Sequence, residues 1–381
     1  SQMVIEVTPG LDGASPLFGD QQVNTYEPDQ QTTPVVTGLQ GVNAGGHVVV
    51  WRSDGSQDGS LYGLYGQRYD AHGAAVGAEF QVNTYAQSYQ YEPELASLAN
   101  GGFVVVWRSS GQDGSGESVH AQIYGADGMA VGGEFRVNTS TLSSQYEPAV
   151  VGLSDGSFVV AYRSDYTNAT SSYVYDVLAK RYAADGTLLV DEFTVNTTVS
   201  GTQFNPRLAA LAGGKFVALY GDASSNDGSG YGVFAKVFNA DGSVAVAEQV
   251  VPTTVAGNQY GHDVAVLADG GYVVVWWSAD DQIHGQRFDA TGVRAGSEFQ
   301  VSSADSVPYQ DYARVTALAD GGFVVAWDSY NGVGANTYDV FIQQFDAAGN
   351  KVDGPIVANA SNASTQYLPD IAALTGSNFV V

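Results

Sequence analysis

The chain has 381 residues, of which 44% are hydrophobic and 12% aromatic, enough to bury a large core, and this excludes a disordered chain despite 47 glycines. Forty Asp and Glu against 14 Lys and Arg leave a formal charge of −26, which repels phosphate backbones and anionic surfaces and excludes nucleic acid as a partner. The sequence has no cysteine, so disulfides and thiolate metal sites are excluded, and no run reaches the roughly 18 apolar residues that insert into a bilayer.

The chain opens on "SQMVIEVTPG", which lacks the basic and then apolar regions of a cleavable signal. Its first 25 residues resemble the last two strands of a repeat unit that then recurs along the chain. With the Val of "VNT" as marker, equivalent positions are Val23, Val82, Val137, Val195, Val251, Val301 and Val357, in steps of 59, 55, 58, 56, 50 and 56. Within a unit four short segments are expected, such as 93–98, 103–107, 119–125 and 134–139, joined by Gly/Asp/Asn turns. Helical periodicity is absent. The second segment recurs as "HVVVWRSD" (47–54), "FVVVWRSS" (103–110), "FVVAYRSD" (158–165), "YVVVWWSA" (272–279) and "FVVAWDSY" (323–330), with the residue after the aromatic changing from Arg to Trp or Asp.

Four antiparallel strands repeated radially describe an all-β propeller. The last unit stops after two segments and the start supplies two more. A single domain over 1–381 is therefore expected, with seven blades, the last formed by 1–25 with 357–381. Closing the ring in one blade removes exposed sheet edges, and a closed ring needs no partner, so a monomer is expected.

On one disc face the turns between strands A and B and between C and D are short. The other face carries the variable B–C and D–A loops, where binding is expected. There Arg108 should meet Glu92 and Arg163 should meet Glu147 across each hairpin, while Arg52, matched to Thr33, needs another partner, with Glu27 the candidate. Aromatics at the start of the innermost strands, Tyr91, Tyr146, Phe204, Tyr260, Tyr312 and Tyr367, are expected to ring the opening. Together with Arg52, Arg108, Arg163 and Trp277 they form the candidate site for a glycan or peptide ligand. His262 is expected on the same rim. Asp58, Asp113 and Asp227, in "QDGS" or "NDGS" loops, are candidate calcium ligands, although each loop offers one or two carboxylates where calcium takes six to eight oxygens, and no other cofactor is expected.

Two resemblances bear on function. Arginines on three consecutive blades are similar to the cluster by which sialidase-type propellers hold a substrate carboxylate, which implies a glycoside hydrolase as an alternative. Their "SxDxGxTW" turn is missing and no nucleophile pair is marked. The repeated pattern EFxVNT, QxxP, DGGFVVVW, QDGSG and GQRFDA, carried by 80–84, 90–98, 101–116 and 284–292, resembles repeats of large bacterial exported proteins of the RTX and type I secretion kind. That resemblance implies an extracellular or cell-surface location and a binding, display or spacer module rather than an enzyme.

Overall fold

The computed structural model describes residues 4–8, 18–26, 30–55, 57, 59, 61–167, 173–302, 310–330, 338–358 and 366–381. The recurring apolar segment is the second strand of a four-stranded antiparallel sheet: Phe103–Ser110 lies between Gln90–Ser97 and Glu117–Tyr124. Successive side chains point to opposite faces of a strand. Val104 and Val106 pack into one apolar cluster with Phe158 and Val160, whereas Phe103, Val105 and Trp107 pack into another with Val48 and Val50. Both faces are covered by neighbouring sheets, so the run is continuously apolar instead of alternating. On blades I and II the Gln of the first strand meets the indole N–H: Trp51 Nε1 donates to Gln31 Oε1 at 2.9 Å and Trp107 Nε1 to Gln90 Oε1 at 3.2 Å.

Six sheets are each built from four consecutive strands, and these are blades I (30–81), II (90–136), III (145–194), IV (203–250), V (259–300) and VI (310–357). Apolar clusters fill the gap between each blade and the next. The expectation of seven blades, the last shared between the chain ends, is corrected to six. The chain ends form a smaller composite sheet, ordered Phe18–Gln22, Val4–Thr8, Phe379–Val380 and Ala372–Ala373. It is held by two paired positions between Val4–Thr8 and Phe379–Val380, and by two more between Ala372–Ala373 and Phe379–Val380. Residue 357, expected in this sheet, ends the last strand of blade VI. Apolar contacts join the composite sheet to blade VI through Ile371 and Phe379 and to blade I through Ala372 and Val380. The architecture is a β-propeller with strand A innermost and strand D at the rim.

The motif that marked the repeat has a mechanical origin. The Glu of "EF", or of "EQ" in blade IV, accepts the backbone N–H of the Thr that follows the outer strand of the preceding sheet: Glu79 from Thr25 (2.9 Å), Glu134 from Thr84 (2.6 Å), Glu192 from Thr139 (3.1 Å), Glu248 from Thr197 (2.7 Å) and Glu298 from Thr253 (2.7 Å). The Asn of "VN" accepts from strand C, as Asn83 Oδ1 does from Leu64 N at 2.7 Å and Asn138 Oδ1 from Val119 N at 2.9 Å. The Phe covers a strand-C glycine: a Cβ on Gly66 would come within 2.6 Å of the Phe80 ring, and one on Gly285 within 2.5 Å of Phe299. The last marker is one residue off. Val357 is exposed, and Ala358 takes the buried place, donating its N–H to Val340 O as Val82 donates to Leu64 O.

Every innermost strand is broken at one place. The third residue of each "QYEP"-like segment adopts a left-handed backbone: Thr33, Glu92, Glu147, Asn205, Gly261, Tyr312 and Leu368 have φ between 48° and 62°. In the six full blades the A–B pairing slips at the same point. A left-handed non-glycine residue is costly and persists only where its surroundings enforce it. Acceptors on the preceding blade help to do so. Glu92 accepts the Glu147 N–H at 3.1 Å, Glu147 the Asn205 N–H at 2.6 Å, and Asp328 the Leu368 N–H at 3.0 Å.

Candidate functional site

The bulge divides each inner strand into residues that face the mouth and residues that face the axis. Around blades I to III the mouth is filled by the chain's own side chains. Arg108 pairs with Glu92 at 3.0 Å and Arg163 with Glu147 at 2.8 Å, as expected across each hairpin. Arg52 pairs with Asp54 at 2.5 Å, while Glu27 lies outside the described residues. The guanidiniums also stack on rings. Arg52 lies 4.6 Å from the Tyr62 centroid, Arg108 is 4.4 Å from Tyr91 and 5.5 Å from Tyr146, and Arg163 is 4.9 Å from Tyr146 and 4.7 Å from Tyr175. Arg108 and Arg163 thus sit in a Tyr–Arg–Tyr–Arg–Tyr stack, and their charge is met from the side by carboxylates. Phe204, next round, lies against Gly221, where a Cβ would fall 2.5 Å from its ring, and edge-on to Tyr231 at 5.8 Å. These residues are where the sequence put them, but each is already engaged.

Blades V and VI differ because the arginine is gone. Trp277 stands in its place opposite Tyr260, the two rings 4.5 Å apart at 31°, and Asp328 stands in its place opposite Asp311. What opens is a cleft of about 690 Å³ lined by Tyr260, Trp277, Asp311, Tyr312, Asp328 and Tyr338, with Tyr367 and Leu368 arriving just before the composite sheet. Tyr312 and Tyr367 are 44% and 55% exposed, leaving ring faces open. Tyr312 is not equivalent to Tyr91. It occupies the left-handed position, and Asp311 takes the ring's place in the register.

The two carboxylates form one cross-strand pair. Burial raises the Asp311 carboxyl above its ordinary range, against the pull of the Tyr312 amide, which donates to Asp311 Oδ1 at 2.8 Å, and of Arg314. Burial pushes Asp328 up to about 6; the Leu368 amide opposes this and the Asp311 charge adds to it. Two carboxyls beside each other cannot both ionise freely, so below about pH 6 one can hold a proton while the other serves as a base. Aromatic faces that bind the C–H side of a sugar, next to a proton donor and a carboxylate, are the parts used to cleave a glycosidic bond.

Below the mouth, four residues on from the Gln of each inner strand, lies an axial cluster the sequence reading missed: Glu94, Arg207, Asp263, Arg314 and Asp370. Arg207 reaches past blade III, where Ala149 holds the equivalent place, to Glu94 at 2.8 Å. Burial works against its charge, but Glu94, Asp263 and Asp370 hold it. Asp370 accepts the Val36 N–H at 2.7 Å, and Asp263 that of Val315 at 2.8 Å. Burial pushes Asp370 up to about 7. His262 is not on the rim: it is fully buried, 2.8 Å from Asn205 O through Nε2, and burial lowers it to about 3, so it stays neutral.

The calcium candidates are not brought together. Asp58 lies outside the described residues. Asp113 accepts the Ser115 N–H at 3.1 Å and Asp227 the Ser229 N–H at 3.0 Å, each closing its own turn. Among the described residues no three His, Cys, Asp or Glu side chains gather as a metal group, and no helix is long and apolar enough to cross a membrane.

No family model matches the chain, nor does any curated protein. Solved structures do match. An α-L-arabinanase of Penicillium chrysogenum is 16% identical with a TM-score of 0.55, covering 91% of this chain and 99% of that one. An α-L-arabinofuranosidase of Fusarium graminearum is 13% identical with a TM-score of 0.55, covering 84% and 94%. An ulvan lyase, of a polysaccharide lyase family, is 11% identical with a TM-score of 0.58, covering 91% and 88%. At these identities the likeness shows the fold, a β-propeller. It also corrects the expectation that the chain is not an enzyme, since these neighbours are carbohydrate-active enzymes. The missing sialidase turn excluded less than it promised, because a propeller site is assembled from separate strands and needs no contiguous motif.

Proposed function

We propose that this protein cleaves glycosidic bonds in a glycan held in the cleft between blades V and VI, with Asp328 as proton donor and Asp311 as the partnering carboxylate. The observation that carries this reading is the cross-strand Asp311–Asp328 pair inside an aromatic-lined cleft, at the two places where blade II carries Tyr91 and Arg108. Trp277 and Tyr260 form one wall on which a sugar ring can stack, and Tyr312 and Tyr367 offer open faces opposite. Asp328 also accepts the Leu368 N–H, so the proton donor fixes the segment that brings Tyr367 to the cleft. We further propose an extracellular setting, supported by the resemblance to exported repeat proteins and by an acidic, cysteine-free composition.

The test is release of reducing ends from a panel of polysaccharides by the wild-type chain and by Asp328→Asn. Release that is lost in the variant supports the reading. A well-folded protein that neither binds nor cleaves any glycan overturns it.

A further inference from the structure

We propose that the cleft takes uncharged sugar chains and turns away polyanionic ones, an inference that rests on the glycan reading above. Among the described residues its lining contains three carboxylates, Asp281, Asp311 and Asp328, and no lysine or arginine. A uronate, sialate or sulfate group in the cleft would be placed beside these oxygens with no cation to receive it.

The cations that could have served such a group are committed elsewhere. Arg314 lies below the bulge, 3.8 Å from Asp370, and donates through Nη1 to Ala313 O at 3.1 Å; its charge opposes the rise of Asp311 and Asp328, but burial outweighs it at both. Arg52, Arg108 and Arg163, the cluster that a carboxylated sugar would need, are on blades I to III, stacked on tyrosines and paired with Asp54, Glu92 and Glu147. The charge of −26 adds a longer-range repulsion of polyanions that salt would screen only outside the cleft. A neutral chain meets none of these costs. Its hydroxyls can donate to the same carboxylates and its apolar faces can lie on Tyr260, Trp277 and Tyr312.

The experiment is binding and cleavage by the whole chain of neutral polymers (arabinan, xylan, β-glucan) against anionic ones (polygalacturonate, ulvan, sialylated oligosaccharide), at low and high salt. We expect at least about a hundredfold preference for a neutral polymer, part of it surviving high salt, because repulsion from the buried Asp311 and Asp328 is less screened than that from exposed charges. Trp277→Arg, which puts a cation into the cleft, and Asp281→Asn, which removes an anion from its edge, should each raise polygalacturonate binding at least several-fold. An anionic polymer bound as well as a neutral one by the wild type overturns this inference and leaves the glycan reading standing. If no glycan of either kind binds the folded protein, the glycan reading falls and this inference falls with it.

Discussion

The two arcs of the mouth carry the same scaffold and opposite chemistry. On blades I to III an arginine follows each aromatic strand, pairs with a carboxylate and lies on tyrosine rings. On blades V and VI, Trp277 and Asp328 replace it. The bulges are alike in both arcs, and the Glu–Thr clip of blades I to III recurs on blade V. Replacing one residue per blade is what turns a packed surface into a cleft, because the guanidinium filled the volume and neutralised the acid, and neither tryptophan nor aspartate does both. The closed and open arcs differ in side-chain chemistry at a fixed place and in the B–C connection, which runs from Ser110 to Glu117 on blade II and only from Ser278 to Gln282 on blade V.

The largest expected effect tests whether the open arc is the working one. Asp328→Asn should lower kcat by about 10²- to 10⁴-fold, the range for losing a positioned proton donor, and Arg163→Met on the closed arc should leave kcat unchanged, both read by reducing-sugar release. Next in size, Trp277→Arg should place on blade V a cation with no glutamate to neutralise it, because Gly261 holds the place of Glu92 and Glu147. Its charge would lower the Asp328 carboxyl, so the alkaline limb of the pH–rate profile, expected near pH 6 in the wild type because Asp328 must be protonated, should move toward acid. An unmoved limb would mean that Asp328 is not the group being titrated.

A third test separates binding from chemistry. Tyr260→Ala should raise KM about tenfold, near 1.4 kcal/mol of lost stacking, with kcat less affected. On the closed arc, Arg108→Ala should cost stability instead, about 1–2 kcal/mol from the lost cation–π and ion-pair contacts, seen as a lower denaturant midpoint with unchanged turnover. The smallest effect concerns the axis. His262 titrates near 6.5 when unfolded and near 3 when folded, so the unfolded chain binds its proton first and stability falls as pH drops below about 6.5. His262→Gln should flatten that fall by at most about 1.4 kcal/mol per pH unit, measured by melts from pH 7 to pH 4.

Much of this was legible in the sequence for a physical reason. "EFxVNT" stands out because its residues have fixed mechanical partners wherever they recur: Glu clips to Thr, Phe covers Gly, Val fills the core and Asn caps strand C. The Arg108–Glu92 and Arg163–Glu147 pairs are legible from antiparallel counting, although the bulge slips the register so that Tyr91 and Tyr146, not the glutamates, lie directly opposite the arginines. The bulge was not legible. A left-handed Glu92 looks like any glutamate. Tyr312 leaves the aromatic ring because, counted from Gln310, it is the third residue of its segment, and Asp311 takes the place that Tyr91 holds after Gln90. The acid pair was missed for the same reason, although the substitution of Asp for Arg in "FVVAWDSY" pointed to half of it. The axial cluster needs contacts that skip a blade, as Arg207 does to reach Glu94, and no local pattern encodes those.

The bulge has a consequence for how such a ring can change. Because one extra residue interrupts each inner strand, the side chains above it and those beneath it belong to separate registers. A substitution at the rim therefore does not rotate the tunnel residues, and the tunnel can keep its charges while the rim is rewritten one blade at a time. Recognition in this molecule can be altered sector by sector, with the hub that keeps the sectors together left untouched.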